Sequence, residues 1–244
     1  MATELQVRLT GLAAPAQFVD WARPFPDLES CWDACDSPEF LLWLAARACR
    51  TAEERRAIVS CLAALTRQAE RGRHRPDPPV ERAASTAETW TRAGGAGLDD
   101  LLAAERDALD AAERAAVVAA AEGARARMLV RSAPRGRHAS LRTGRALGAL
   151  AGWRDADQAL RLALAAAGTA RAAAEAAQAD AAAANGATPP PGEPAAPEWE
   201  ARVSESARYV LGALAHSQPP GQGDKATRKA ARLIRRRLPC PRLD

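Results

Sequence analysis

The segment LRLALAAAGTARAAAEAAQADAAAA, residues 160–184, decides the fold class of this chain. Alanine is the best helix former, and no proline interrupts the segment. Alanine accounts for 63 of the 244 residues, against six tryptophans, three phenylalanines and one tyrosine. Because strands favour aromatic and β-branched residues, this composition predicts an all-α protein. Small side chains also let helices approach closely, so we expect one Ala-rich domain, residues 1–244, built as a bundle of antiparallel helical hairpins.

The segments around this stretch also have helical patterns. Asp155 or Asp157 is expected to begin the helix that ends at Ala184. A separate helix is predicted over 141–151 and a long one over 98–129, on either side of a Pro and Gly break near 131–138. The sequence therefore predicts several helices joined by short breaks.

Two capping signals place helices nearer the N-terminus. Ser37-Pro38-Glu39 combines an N-cap, a first-turn proline and an acid at the positive end of the helix, which predicts a helix to about Arg50. Thr51 and Glu54 have the spacing of a capping box, and the helix they begin should run to about Glu70. We expect these two helices to pair as an antiparallel hairpin.

The ends and one internal segment differ from the alanine-rich body. Residues 1–30 contain three prolines and are expected to form an N-terminal arm pinned to the body by Phe18, Trp21 and Phe25. Residues 186–197 are rich in Pro and Gly, which predicts a flexible insert. Residues 224–238 should form a basic C-terminal helix.

Charge and cysteine content restrict the class of protein. The net charge is +4, yet residues 1–60 hold nine acids and six bases, while residues 123–145 hold seven arginines and no acid. Five cysteines form an odd set, and we see no secretory leader and no apolar run of membrane-spanning length. We expect a soluble, reduced, cytoplasmic protein without a membrane span.

The sequence offers no motif for catalysis, a cofactor or a metal. The three histidines, His74, His138 and His216, are far apart, and no nucleophile elbow accompanies them. Cys31 and Cys35 lack the paired short spacings of a zinc site. The Gly-rich run 94–97 has no phosphate-loop lysine. We therefore predict a protein that is not an enzyme, with no catalytic, cofactor-binding or metal-binding residues.

Binding is the chemistry that the remaining features favour. The acids Asp33, Asp36 and Glu39 could form a face for a basic partner. The triplet 235–237, which consists of Arg235, Arg236 and Arg237, could be a basic patch for phosphates. The side chains expected to be structural anchors are Trp32, Cys35, Trp43 and Trp90, since bulky rings fill gaps among alanines efficiently and free cysteine is commonly buried.

The same anchors carry a family resemblance. Trp32-x-x-Cys35 followed by FLLWLAAR (40–47), the helix 83–90 that ends at Trp90, and LIRRRLP (233–239) together resemble the alanine-rich helical immunity proteins of bacterial polymorphic toxin systems. The resemblance implies a helical protein that binds and neutralises a cognate toxin without catalysis or a cofactor. The chain departs from that pattern in its arginine-rich region 125–145, its insert 186–197 and its net positive charge.

Three functions follow as expectations. The first is a protein-binding module of the immunity type, with a toxin as its protein partner. The second is a structural adaptor or scaffold subunit of a larger bacterial assembly. The third is a basic helical nucleic-acid binder.

Overall fold

The computed structural model describes residues 3–71, 73, 77–93, 97–131, 139–185, 197–216 and 223–242. This part of the chain contains ten helices and no strand, which confirms the all-α prediction. The helices are α1 (Glu4–Gly11), α2 (Ala16–Ala22), α3 (Leu28–Ala34), α4 (Pro38–Ala48), α5 (Ala52–Glu70), α6 (Pro78–Ala93), α7 (Leu98–Arg131), α8 (Ala139–Ala184), α9 (Pro197–His216) and α10 (Gly223–Arg237).

Side-chain caps begin four of these helices. Thr3 and Thr51 each form a capping box, the latter with Glu54, and both satisfy backbone N–H groups that a helix start leaves unpaired. Asp27 accepts from the Ser30 N–H at 2.8 Å. Ser37 accepts from the Phe40 N–H, with a proline at the first position of α4. Local chemistry therefore sets these boundaries.

The helix α8 is the axis of the molecule. Its 46 residues extend about 69 Å, and α5, α6, α7 and α9 all pack against it. The face under these helices is almost entirely alanine, which allows close approach. Thr169 and Ser206 are fully buried where α9 crosses, with their hydroxyl oxygens 3.1 Å apart, and Ser206 donates to the Ala165 carbonyl at 3.0 Å.

The predicted break between 151 and 155 is wrong. The structure has one continuous helix from Ala139 to Ala184. Asp157 does not cap a helix start but pairs with Arg161 one turn later, at 2.7 Å. Gly148 and Gly152 lower helix propensity without removing a backbone donor, and no proline lies in this stretch, so the helix continues through it.

The predicted hairpin of α4 and α5 is also wrong. These helices are adjacent in sequence, but α4 packs mainly on α9 and α10, and α5 packs mainly on α6 and α8. Two ion pairs hold the start of α5 on the end of α8, because Arg55 and Arg56 bind the two oxygens of Asp180 at 3.1 and 2.8 Å. Ion pairs and burial between residues distant in sequence therefore decide where α4 and α5 pack.

The ends of the chain pack on the bundle. The N-terminal arm contains α1 and α2, and Leu5, Leu9 and Phe18 are buried in the core. The basic helix α10 buries one face, through Ala226, Ala230, Ala231, Ile234 and Leu238. The predicted insert lies outside the described residues up to position 196, and α9 begins at Pro197.

Crossing a membrane requires a helix that is both long and apolar. Among the helices of the described residues, none combines the two properties.

Candidate functional site

A cleft of about 550 Å³ lies between α2, the start of α4 and the middle of α9. Its walls bring together segments that are distant in sequence, from Pro15 in the N-terminal arm to Arg208 in α9. We call this cleft the aromatic groove. Its lining includes Phe18, Trp21, Asp36, Glu39, Phe40 and Trp43.

Five aromatic rings form a continuous row at the groove. Trp21 lies 4.8 Å from Phe25 and 5.3 Å from Phe18, measured between ring centroids. Phe18 stacks on Phe40, whose centroid is 5.2 Å from that of Trp43. Phe18 and Phe40 are buried, whereas Trp21 is 38 % exposed. Trp21, the second ring of the row after Phe25, is therefore partly accessible to a partner.

A partly buried charge network fixes the Trp43 end of this row. The indole N–H of Trp43 donates to one oxygen of Glu200 at 2.9 Å, and Arg47 donates to the other oxygen at 2.9 Å. Arg47 and Glu200 are only 27 % and 20 % exposed. Hydrogen bonds to a charged group in such surroundings are stronger than those in water, so they hold the Trp43 ring in one orientation.

Two of the three predicted acids lie at the groove. Asp36 and Glu39 are exposed on its rim. Asp33 is exposed on α3 and lies toward Cys240 instead: burial, followed by the charges of Glu29 and Asp33, raises the pKa of that thiol to about 11. The three predicted acids therefore do not form one face. Asp33 lies on the side of α3 near Cys240, whereas Asp36 and Glu39 lie at the groove.

The basic triplet is also divided. Arg235 is largely buried, donates to the Cys35 carbonyl and approaches Asp36 at 3.9 Å. Arg237 donates to the Ser60 hydroxyl at 2.9 Å. Arg236 is exposed. Two of the three arginines thus join α10 to the α3–α4 turn and to α5, which leaves one of them for a phosphate.

A different set of cations forms a continuous basic stripe on α10. Lys225, Lys229, Arg232 and Arg236 are exposed at i, i+4, i+7 and i+11 spacing, which places them on one face. None of the four forms an ion pair with a described residue. Adjacent arginines such as those at 235–237 point in different directions around a helix, whereas residues at the helical period share one face.

The other predicted anchors lie in the core. Trp32 and Trp90 are each 3 % exposed, and Cys35 is 2 % exposed. The Arg56 guanidinium lies 5.8 Å from the centroid of the Trp90 ring, within range of a cation–π interaction. The exposed Trp21 was predicted only to pin the arm, and the spacing of Phe18, Trp21 and Phe25 was the signal that it belongs to an aromatic row.

The cysteines and the remaining histidine have packing roles in the described structure. All five thiols are free, and burial raises the pKa of Cys31, Cys49 and Cys61 to about 12. His216 lies 3.5 Å from Asp157 and contacts the Gly212 carbonyl at the end of α9. His74 and His138 lie outside the described residues. Within the described part of the chain, no cluster of His, Cys, Asp or Glu has the form of a metal site.

Comparisons of the chain with protein families, with curated proteins and with solved structures find no match.

Proposed function

We propose that the chain is a non-enzymatic protein-binding module, and that the aromatic groove binds its partner. The supporting observation is Trp21, a partly exposed ring within the aromatic row that lines the same groove as the acids Asp36 and Glu39. Tryptophan is enriched among residues that dominate binding energy, and flanking charges mainly accelerate association with a partner of opposite charge. A basic segment with an apolar side chain at its centre would fit this groove.

We further propose that the partner is a toxin, neutralised in the cytoplasm, where five free thiols remain reduced. The motif resemblance to immunity proteins supports this finer proposal. Affinity purification of the tagged protein from its native host, with mass spectrometry and sizing, tests it. Recovery of one small toxic protein in a one-to-one complex is expected. Recovery of a large multi-subunit particle would instead support the scaffold function.

Groove variants test the binding site itself with the partner recovered. Trp21→Ala should weaken the complex by about 30-fold or more, the effect of removing a central aromatic ring from an interface. Glu39→Gln should slow association several-fold at low salt and have little effect at high salt. Val7→Ala and Asp110→Asn, both exposed elsewhere, are the matched controls. Wild-type affinity in Trp21→Ala, with a native circular-dichroism spectrum, would exclude the groove.

The basic stripe on α10 favours nucleic-acid binding as a second candidate function. Replacing Lys225, Lys229, Arg232 and Arg236 by Gln should reduce the salt dependence of binding to duplex DNA, by about 0.9 in the log–log slope for each phosphate that is no longer neutralised. A control with equal charge change replaces Arg23, Arg82, Arg106 and Arg114, which are exposed and scattered. Equal salt slopes for the two quadruple variants would show that binding depends on net charge alone. The stripe would then not be a specific nucleic-acid site.

A further inference from the structure

The two longest helices extend beyond the rest of the bundle. Asp107 of α7 pairs with Arg82, which lies in the second turn of α6. The first residue of α6 therefore lies only about one turn beyond Asp107 along α7. On α8, the last residue of α9, His216, lies opposite Asp157. We call the segments past these points, residues 117–131 and 139–156, the projecting hairpin.

The packing inside the projecting hairpin is inverted relative to a normal core. Every buried side chain described in it is small: Ala119, Ala126, Ala149 and Ala156, with Gly123 between them. Three large apolar residues of its α8 segment are exposed: Leu147 is 61 %, Leu150 38 % and Trp153 36 % exposed. Exposed apolar side chains that cluster in this way mark interaction sites on soluble proteins.

Trp153 is held across the seam between the two helices. A Cβ atom added at Gly123 would lie only 3.2 Å from Cδ1 of the Trp153 ring. The absence of a side chain at Gly123 therefore lets the indole lie against α7. This contact orders the ring before any partner arrives, which lowers the entropy cost of binding.

The exposed leucines continue the track on α8 that α9 occupies. Arg161 lies against Gly212 and Asp157 lies against His216. Steps of three and four residues back from Asp157 reach Arg154, Leu150 and Leu147, all of them exposed. These spacings keep one helical face, so the surface that binds α9 extends past the end of α9 without a described helix on it.

The charge of this surface selects the partner. Arg127, Arg145 and Arg154 are exposed and form no ion pair with a described residue. Arg145 lies on the opposite side of α8 from the leucines, and in sequence the two segments of the hairpin contain six arginines against the two acids Glu122 and Asp155. A second copy of the hairpin would bring like charges together, whereas an acidic helix would neutralise them.

We propose that the projecting hairpin binds an acidic amphipathic helix of a partner protein, seated on Leu147, Leu150 and Trp153 in line with α9. The helix presents apolar residues at i, i+3 or i+4 and i+7, with glutamates on both sides of that stripe. This surface is separate from the aromatic groove, so the proposal does not depend on the function proposed for the groove.

A pair of synthetic helical peptides tests the proposal on the full-length protein. Both carry leucines at i, i+3 or i+4 and i+7; one has glutamates beside the stripe and the other has lysines. Binding is measured by fluorescence anisotropy of a label on the peptide. The acidic peptide should bind and the basic peptide should bind at least about tenfold more weakly, because Arg154 lies on the helical face of the two leucines and Arg127 lies beside Gly123, next to Trp153.

Variants show where the acidic peptide binds. Leu147→Ala with Leu150→Ala should weaken it by about tenfold or more, since alanine keeps the helix and removes apolar surface. Val7→Ala, 62 % exposed in α1, is the matched control and should bind as the wild type does. Replacing Arg127 and Arg154 by Gln should remove the preference for the acidic peptide, and Arg145→Gln, on the opposite side of α8, should leave it unchanged.

Three results would overturn the proposal. They are equal binding of the two peptides, wild-type binding by the double leucine variant, and a concentration-dependent dimer that the double leucine variant abolishes. The last result would assign the surface to a second copy of the chain.

Discussion

Glu200 is the residue whose loss should disturb the aromatic groove most. Glu200→Ala leaves the Trp43 indole N–H and the partly buried Arg47 without their shared acceptor. We expect the free energy of unfolding to fall by about 1–3 kcal/mol, measured by urea denaturation. Glu198→Ala removes an exposed acid from the same helix turn and should cost less than about 0.5 kcal/mol. Equal effects of the two changes would show that the helix dipole, rather than the network, is responsible.

The thiols provide a pH-dependent prediction. The pKa of Cys240 is raised to about 11 and those of Cys31, Cys49 and Cys61 to about 12, so all are protonated at pH 8. Iodoacetamide should modify only the partly exposed Cys240, slowly, and about tenfold faster for each pH unit up to about 11, because the thiolate is the reactive form. Peptide mass spectrometry measures this. Urea should expose every thiol; fast native modification of Cys31 would contradict the packing described here.

At this scale the sequence predicts what is local. The capping hydrogen bonds of Ser37 and Thr51 join residues three positions apart, so the sequence alone predicts them. The bond from Trp43 to Glu200 joins residues 157 positions apart, and no local pattern encodes it. Asp36 and Arg235, both predicted as binding residues, approach each other at 3.9 Å for the same non-local reason.

Two glycines of one helix should respond oppositely to the same substitution. Gly148 has no atom within 4 Å of an added Cβ, so Gly148→Ala should stabilise the protein by about 0.5–1 kcal/mol through helix propensity. A Cβ at Gly168 would meet the Ser206 Cβ at 3.0 Å, so crowding should cancel or outweigh that gain and leave Gly168→Ala up to about 2 kcal/mol less stable. Urea titrations of both variants measure the difference. Equal stabilisation would mean that α8 and α9 can separate freely at Ser206.

The helix starts predicted from a proline at 38 and from a capping box at 51 are confirmed, and the start predicted from an aspartate alone is wrong. Pro38 marks a real helix start. Asp157 resembled one, but its carboxylate is satisfied within the helix by Arg161. The neighbours of α4 could not be predicted, because alanine faces are alike and do not specify which helix covers them.

Unfolding should not be uniform over the whole molecule. The projecting hairpin is held by a seam of alanine and glycine, whereas α7 before residue 117 and α8 after residue 156 pack on α5, α6 and α9. Amide hydrogen exchange followed by mass spectrometry should therefore find protection falling within one or two turns of these boundaries. The peptide 160–170 of α8 is an internal control for full protection. Equal protection along α8 would show that the seam alone stabilises the hairpin.

At the same scale the sequence predicts the class of fold but not its outline. Alanine content indicates closely packed helices, and the arginine-rich region 125–145 indicates a solvated segment. The helices α7 and α8 extend past their neighbours because of where α6 and α9 end. Those end points are a property of the assembled bundle. The projecting hairpin therefore becomes visible only in three dimensions.

In mechanical terms, α8 is a rod braced by α5, α6, α7 and α9 along its C-terminal part and, among the described helices, by α7 alone along its N-terminal part. A sideways force on the tip of the projecting hairpin produces its greatest bending moment where the packing of α9 on α8 begins. Asp157 lies at this point and pairs with both Arg161 and His216. A force on the tip would therefore act first on this junction between α8 and α9.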